Sequence, residues 1–168
     1  EENTHSDGFI NSPSPGVICN FLPNKFYKND DEYLEKLSDI MKFEYEKITE
    51  SGLSIQIDCP DLALSRHMIY KDISEKDFLK RANKHVEVLN NSLSNIDPTK
   101  VRMHICWGNY EGPHTHDIGL DKIIEIAFKA NVNKYLIESA NPRHAHEWEV
   151  FESICLLYTS PSPRDLSE

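Results

Sequence analysis

Val101-Arg102-Met103-His104-Ile105-Cys106 is the stretch on which the reading of this chain turns. As a strand, its period of two puts His104 and Cys106 on one face. A second run, Tyr135-Leu136-Ile137-Glu138, ends in a carboxylate. An imidazole, a thiol and a carboxylate then all lie at strand C-terminal ends, a donor set of the kind that zinc accepts, with one of its four positions unaccounted for.

Working outward, residues 17–21 and 53–57 supply two more strand-like runs, which with 101–106 and 135–137 make four. Each is followed by a helical pattern. Asp31 is the expected cap of a helix with Leu34, Leu37, Met41, Tyr45 and Ile48 on one face, closing near Ser51-Gly52. Ser74 caps the next, with Phe78, Leu79, Ala82, Val86 and Leu89 inward and Asp97-Pro98 at its end. A third carries Leu120, Ile123, Ile124, Ala127 and Phe128, and a fourth starts near His146 with Trp148 and Phe151. The order βαβαβαβα predicts an α/β fold with a parallel sheet and crossover helices, either part of a (β/α)8 TIM barrel or a doubly wound sheet. No Gly-rich phosphate loop follows any strand, which favours the barrel. About four βα units make half of one, so a partial TIM barrel over residues 14–154 is the expectation.

The two ends point the same way. Residues 1–13, rich in Ser, Asn and Pro, carry no helical or strand periodicity and are expected to be irregular, and the chain starts at Glu1. Cys155-Leu156-Leu157-Tyr158-Thr159-Ser160-Pro161-Ser162-Pro163-Arg164-Asp165 is similar to the translation of a widely used transposase sequencing adapter. Residues 155–168 are therefore expected to be non-native and the chain to be a truncated fragment, although a Pro-rich tail has the same composition.

In the 168 residues, 39% are hydrophobic and 27% charged, ordinary values for a globular domain with a real core. A net charge of -10, with 18 Lys plus Arg forming no block, argues against nucleic acid and anionic membranes as partners. No run approaches the roughly 18 apolar residues that span a bilayer, and no basic-then-apolar leader opens the chain, so the expected location is the cytoplasm. The four widely spaced cysteines, Cys19, Cys59, Cys106 and Cys155, read as free thiols or ligands.

Barrel enzymes assemble their sites at strand C-terminal ends, where this chain has Asp58, His104 with Cys106, and Glu138. Asp58 can hold a substrate ammonium or amide, or cap the turn after Pro60. His104 and Cys106 can reach one ion, or line an inner strand face as small buried groups. Glu138 ends an apolar run and must find a cation, a metal or water. The loop 107–117 is too long and too rich in functional groups for a minimal connection, and its Trp107, Asn109, Tyr110, His114 and His116 are candidate pocket residues. The two histidines there suit hydrogen bonds within the loop or to a substrate better than a second metal pair. Arg143, beside His144 and His146, is a candidate carboxylate binder or a surface ion-pair partner. Cys19 and Cys59 read as core thiols.

Three segments taken in order, Gln56-Ile57-Asp58-Cys59-Pro60, His104-Ile105-Cys106-Trp107-Gly108-Asn109-Tyr110-Glu111-Gly112-Pro113-His114 and Ile137-Glu138-Ser139-Ala140-Asn141-Pro142-Arg143-His144, resemble the catalytic C-terminal barrel of the cobalamin-independent methionine synthase family, and more closely its short single-barrel relatives. The resemblance implies a zinc-dependent methyltransferase of the 5-methyltetrahydropteroyltriglutamate-homocysteine type, moving a methyl group from 5-methyltetrahydrofolate to the thiol of homocysteine. It assigns His104, Cys106 and Glu138 as Zn2+ ligands and Asp58 as the anchor of the substrate amino group. The family's second cysteine ligand has no counterpart here. The stretch between Cys106 and Glu138 is longer than in the large methionine synthases, which keeps alkyl transfer to another thiol, such as coenzyme M, as an alternative. A non-catalytic metal-binding fragment and, more distantly, a metal-dependent hydrolase complete the competing readings. His-x-Cys rather than His-x-His favours thiol alkylation over hydrolysis, because zinc lowers the pKa of a bound thiol and a sulfur ligand leaves the thiolate nucleophilic.

Overall fold

The structure, a computed structural model, describes residues 8–109, 112–139 and 142–154; Tyr110 and the segment 155–168 lie outside the described residues. The chain divides after Glu138 into two compact units. The first holds β1 (Phe9–Pro13), α1 (Pro15–Phe21), α2 (Asp30–Glu50), β2 (Ser54–Asp58), α3 (Leu64–Met68), α4 (Glu75–Ser92), β3 (Val101–Ile105), α5 (Leu120–Ala127) and β4 (Lys134–Ile137). The second holds a 3-10 turn, Ala145–Glu149, and the short α6 (Val150–Ser153). Trp148, expected on an apolar face, is 53% exposed there.

The four strands form one parallel sheet in the order β1-β2-β3-β4. Each strand pairs with the next in sequence, and no reversal of order creates the crevice of a doubly wound sheet. The fold is therefore α/β with a sequentially wound parallel sheet. Strand parity decides what each face meets. Ile55, Ile57, Val101, Met103 and Ile105 are all buried, and α2 packs on β2 from that side. Across from them lie the inward stripes of the helices: Leu34, Leu37, Met41 and Tyr45 of α2, Phe78, Ala82, Val86 and Leu89 of α4, and Leu120, Ile123, Ile124 and Ala127 of α5. Burial of each Leu, Ile, Val, Met or Phe in these stripes contributes about 1.5–3 kcal/mol. The helix–helix seam is closed by a small residue: Ser38 Oγ of α2 donates to Val88 O of α4 at 2.9 Å and meets Ser92 Oγ at 2.8 Å.

Three expectations are corrected. The run 17–21 is helical, not a strand, because Ser14 caps it, its Oγ accepting from Val17 N at 3.0 Å, and Pro15 supplies the first-turn φ. The first strand is instead Phe9–Pro13, within the segment expected to be irregular. It is an edge strand, largely exposed and closed by proline, so it lacks the apolar signature of a central strand. At α2 the cap is Asn29, whose Oδ1 accepts from Glu32 N at 2.8 Å; Asp31 falls in the first turn with Asp30 and Glu32, where carboxylates favour the helix N-terminus. The Ser74 cap of α4 and the span of α5 match the expectations.

A buried polar cluster ties the back of the sheet together. Ser14 Oγ donates to Asp61 Oδ1 at 2.7 Å, and His85 Nδ1 of α4 lies 2.8 Å from Asp61 Oδ2. A Cβ on Gly16 would strike Asp61 Oδ2 and His85 Nδ1, so α1 reaches this position only through glycine.

Burial also raises several acids in this layer. The Cys19 thiol is pushed from 9.0 up to about 11 and the Tyr135 hydroxyl from 10.0 up to about 12, with desolvation the leading cause in both; Cys59 and Tyr45 are raised further in the same direction. A raised folded-state pKa leaves stability untouched below the ordinary value and removes it as pH climbs towards the folded value. The melting temperature should thus hold from these groups up to about pH 9 and fall steadily between about pH 9 and 12. Calorimetry across that range checks it; a flat profile would contradict the burial of these four groups.

Candidate metal centre

The opposite face of the sheet is built from the other parity and carries Gln56 and Asp58 of β2, Arg102 and His104 of β3, Lys134 and Leu136 of β4, with Cys106 and Glu138 just past the strand ends. Register brings them together. Asp58 pairs with His104 and His104 with Leu136, while Glu138 N donates to Ile105 O at 3.2 Å and so extends the β3–β4 pairing to the level of Cys106. The expected substrate anchor Asp58 and the expected ligands His104, Cys106 and Glu138 therefore sit on one face at the C-terminal ends of three adjacent strands.

His104 and Glu138 are each held through an atom that metal binding does not need. His104 Nδ1 lies 3.1 Å from Asp58 Oδ1, which leaves Nε2 without a hydrogen bond among the described residues. Glu138 Oε2 accepts from Trp107 N at 3.3 Å, leaving Oε1. The Cys106 sulfur accepts from the Gly108 N–H. An imidazole bound to a carboxylate through one nitrogen presents the other in a fixed orientation, the usual outer support of a histidine ligand. Among the described residues, no three His, Cys, Asp or Glu side chains converge on one point. The set nevertheless fits zinc in donor chemistry, in shared face and in supporting bonds.

Burial is the main cause that holds the Cys106 thiol above its ordinary value. The Gly108 N–H opposes that rise, and the carboxylates of Glu138 and Asp58 add to it. His104 and Asp58 keep about a third of their side-chain surface, 32% and 36%, so a small molecule has access.

The loop after β3 is tied down at both ends. Trp107 is fully buried on the helix-facing parity and its Nε1 donates to Ile118 O at 2.7 Å, so it anchors the loop from within the core. Gly108 follows at φ 78°, where an added Cβ would press on Leu64. His114 pairs with Asp117, Nδ1 to Oδ2 at 2.8 Å, and its ring stacks on His67 just after the sheet's second strand, centroids 5.0 Å apart. His116 is exposed and meets Thr115 Oγ1 at 2.9 Å. Both histidines are thus engaged within the loop and with α3. Asn109 is exposed. Arg143, His144 and His146 belong to the second unit, where His144 Nδ1 lies 3.2 Å from Glu147 Oε2.

One residue of this face had no role assigned from sequence. Gln56 Nε2 donates to Asp58 Oδ1 at 3.1 Å, and the signal for it was the same parity that singled out His104 and Cys106: two positions before Asp58 on one strand. Compared with protein-family models, with curated proteins and with solved structures, the chain matches none.

If Asp58 orients His104, its loss should weaken metal binding without removing a ligand. Asp58→Ala is expected to lower zinc affinity by roughly 10–100-fold in competition with a chelating dye. An unchanged affinity would contradict the supporting role of the Asp58–His104 bond.

Proposed function

We propose that the chain is half of a (β/α)8 barrel of the cobalamin-independent methionine synthase type, which binds zinc and transfers a methyl group to a thiol. The observation that carries this reading is the gathering of His104, Cys106, Glu138 and Asp58 on one accessible sheet face at the C-terminal ends of consecutive strands. Sequential strand order and helices on one face support barrel winding, since right-handed crossovers between neighbouring strands send every helix to the same side.

His104 Nε2, Cys106 Sγ and Glu138 Oε1 would hold the metal. Zinc, when bound, stabilises a thiolate at neutral pH by lowering the thiol pKa. The chain's own residues do the rest. Asp58 keeps Oδ1 on His104 and Gln56 and offers Oδ2 to the ammonium of an amino-acid thiol. Glu138, tied to the Trp107 N–H, fixes the distance between β3 and β4 at the level of the reacting sulfur. In the transfer, the thiol gives up its proton, the thiolate sulfur bonds to the methyl carbon as the donor's methyl C–N bond breaks, and the electron pair left on nitrogen takes up a proton, which balances the one the thiol released. The acceptor is homocysteine and the donor a methylated folate, 5-methyltetrahydrofolate. Among the described residues Cys19, Cys59 and Cys106 are free thiols, which suits a reducing compartment, the cytoplasm. Among the described residues, no helix is long and apolar enough to cross a membrane.

The test is metal content and methylation in the parent chain and in Cys106→Ser. The expected outcome is zinc bound in a one-to-one ratio by the parent chain and lost in the variant, with methionine formed from L-homocysteine and 5-methyltetrahydrofolate only when the rest of the barrel and its second cysteine ligand are supplied, since the half-barrel alone is expected to be inactive. Zinc content unchanged in Cys106→Ser would overturn the ligand assignment, and product formed from coenzyme M instead of homocysteine would move the acceptor to a sulfonated thiol.

A further inference from the structure

The open sheet face carries a second polar cluster, at the N-terminal ends of its strands. Phe9, Ser54, Lys100, Arg102 and Lys134 line a cleft of about 200 Å³ there, and no acidic side chain contributes to its wall. The three cations form no block in the sequence. Register sets Arg102 beside Lys134, and the turn Pro98–Lys100 that leads into β3 brings Lys100 to the same end. At about 3.3 Å per residue, Lys100 lies about 13 Å along the chain direction from His104. The cleft is therefore separate from the candidate metal centre, which occupies the other end of the strands.

Arg102 is held in a way that leaves it able to bind. Its guanidinium lies over the ring of Phe9 on β1, Cζ 3.4 Å from the centroid, passing the small Ser54 that pairs with Phe9 on the intervening strand. Stacking uses one flat face of the group and leaves its N–H edge. Nε is buried with no hydrogen-bond partner among the described residues, so the outer Nη groups are the donors a ligand can reach. Like charges side by side in a sheet repel, as Arg102 and Lys134 do here. The lysine ion pairs among the described residues belong to Lys36, Lys47, Lys84 and Lys122, and none reaches this cleft. Asp97 attracts Lys100, but its carboxylate is already bonded to the Thr99 N–H at 2.9 Å and to the Thr99 hydroxyl. In a chain of net charge -10, three cations gathered around one cleft without a carboxylate in its wall are the complement of an anion.

We infer that Lys100, Arg102, Lys134 and the Ser54 hydroxyl form a binding site for a small phosphate-type oxyanion, either inorganic phosphate or a short phosphate monoester. A tetrahedral dianion offers enough acceptor oxygens for a forked guanidinium, two ammonium groups and a hydroxyl, whereas a single carboxylate has two oxygens and one charge. The cleft is smaller than the roughly 300–1,000 Å³ of sites for drug-sized ligands, which keeps the ligand small. None of this depends on zinc or on methyl transfer. The test is calorimetric titration of the metal-free 168-residue chain with inorganic phosphate, glycerol 3-phosphate and succinate. Lys134→Ala and Lys100→Ala remove exposed site cations, Arg102→Lys keeps the charge but not the fork, and Lys47→Ala on α2 is the control for net charge alone. The parent should bind phosphate in a one-to-one ratio and succinate at least about tenfold more weakly, each site variant should lose about tenfold in phosphate affinity, and Lys47→Ala should lose none. Tighter binding of glycerol 3-phosphate would assign the monoester and equal binding the inorganic ion, and both uphold the site. Absence of phosphate binding in the parent, succinate bound as tightly as phosphate, or the same loss in Lys47→Ala as in Lys134→Ala would overturn it.

Discussion

The two faces of one parallel sheet have opposite obligations, and the rest of the molecule follows from that constraint. A strand places neighbours on opposite sides, so the apolar set Ile55, Ile57, Val101, Met103 and Ile105 commits one side to the helices. The residues between them, Gln56, Asp58, Arg102, His104 and then Cys106, have no alternative but the other side. A shift of register by one residue would exchange the sets and bury a carboxylate and a guanidinium against α2 and α4, at a cost no packing gain offsets. Site and core are therefore specified together.

Asp58 is the point at which this face becomes more than a polar surface. One of its oxygens gathers Gln56 from its own strand and His104 from the next, which turns three side chains on two strands into a unit with a fixed imidazole. Glu138 does the equivalent between β3 and β4 through the Trp107 N–H. The Trp107 ring, buried beneath and bonded to Ile118 O, holds that N–H steady, so the core on one side of the sheet stiffens the donors on the other. His104 and Glu138 are each held through one atom, which leaves His104 Nε2 and Glu138 Oε1 without a hydrogen bond among the described residues.

Much of this was legible in sequence where a period was strong. Strands β2, β3 and β4, the Ser74-capped α4 and the inward stripe of α5 follow from alternation, capping and helical spacing. The first βα unit was misread because its signals are inverted. Its strand, Phe-Ile-Asn-Ser-Pro, is a polar edge with little to bury, while the apolar run after it belongs to a helix that Ser14 and Pro15 start. In the site, parity alone put His104 and Cys106 together, but the same parity applied to Gln56 went unused because an amide carries no chemistry of its own until its partner is known. The bond between His104 and Asp58 depends on the pairing register of two strands far apart in the chain, which no local pattern encodes.

The central claim is that one sulfur, one imidazole and one carboxylate of this face share a single metal ion. X-ray absorption at the zinc edge of the loaded chain measures that donor set directly. One sulfur at about 2.3 Å, with the remaining ligands nitrogen or oxygen at about 2.0–2.2 Å and the sulfur shell lost in Cys106→Ser, is the expected spectrum. A shell of nitrogen and oxygen alone in the parent chain would contradict it.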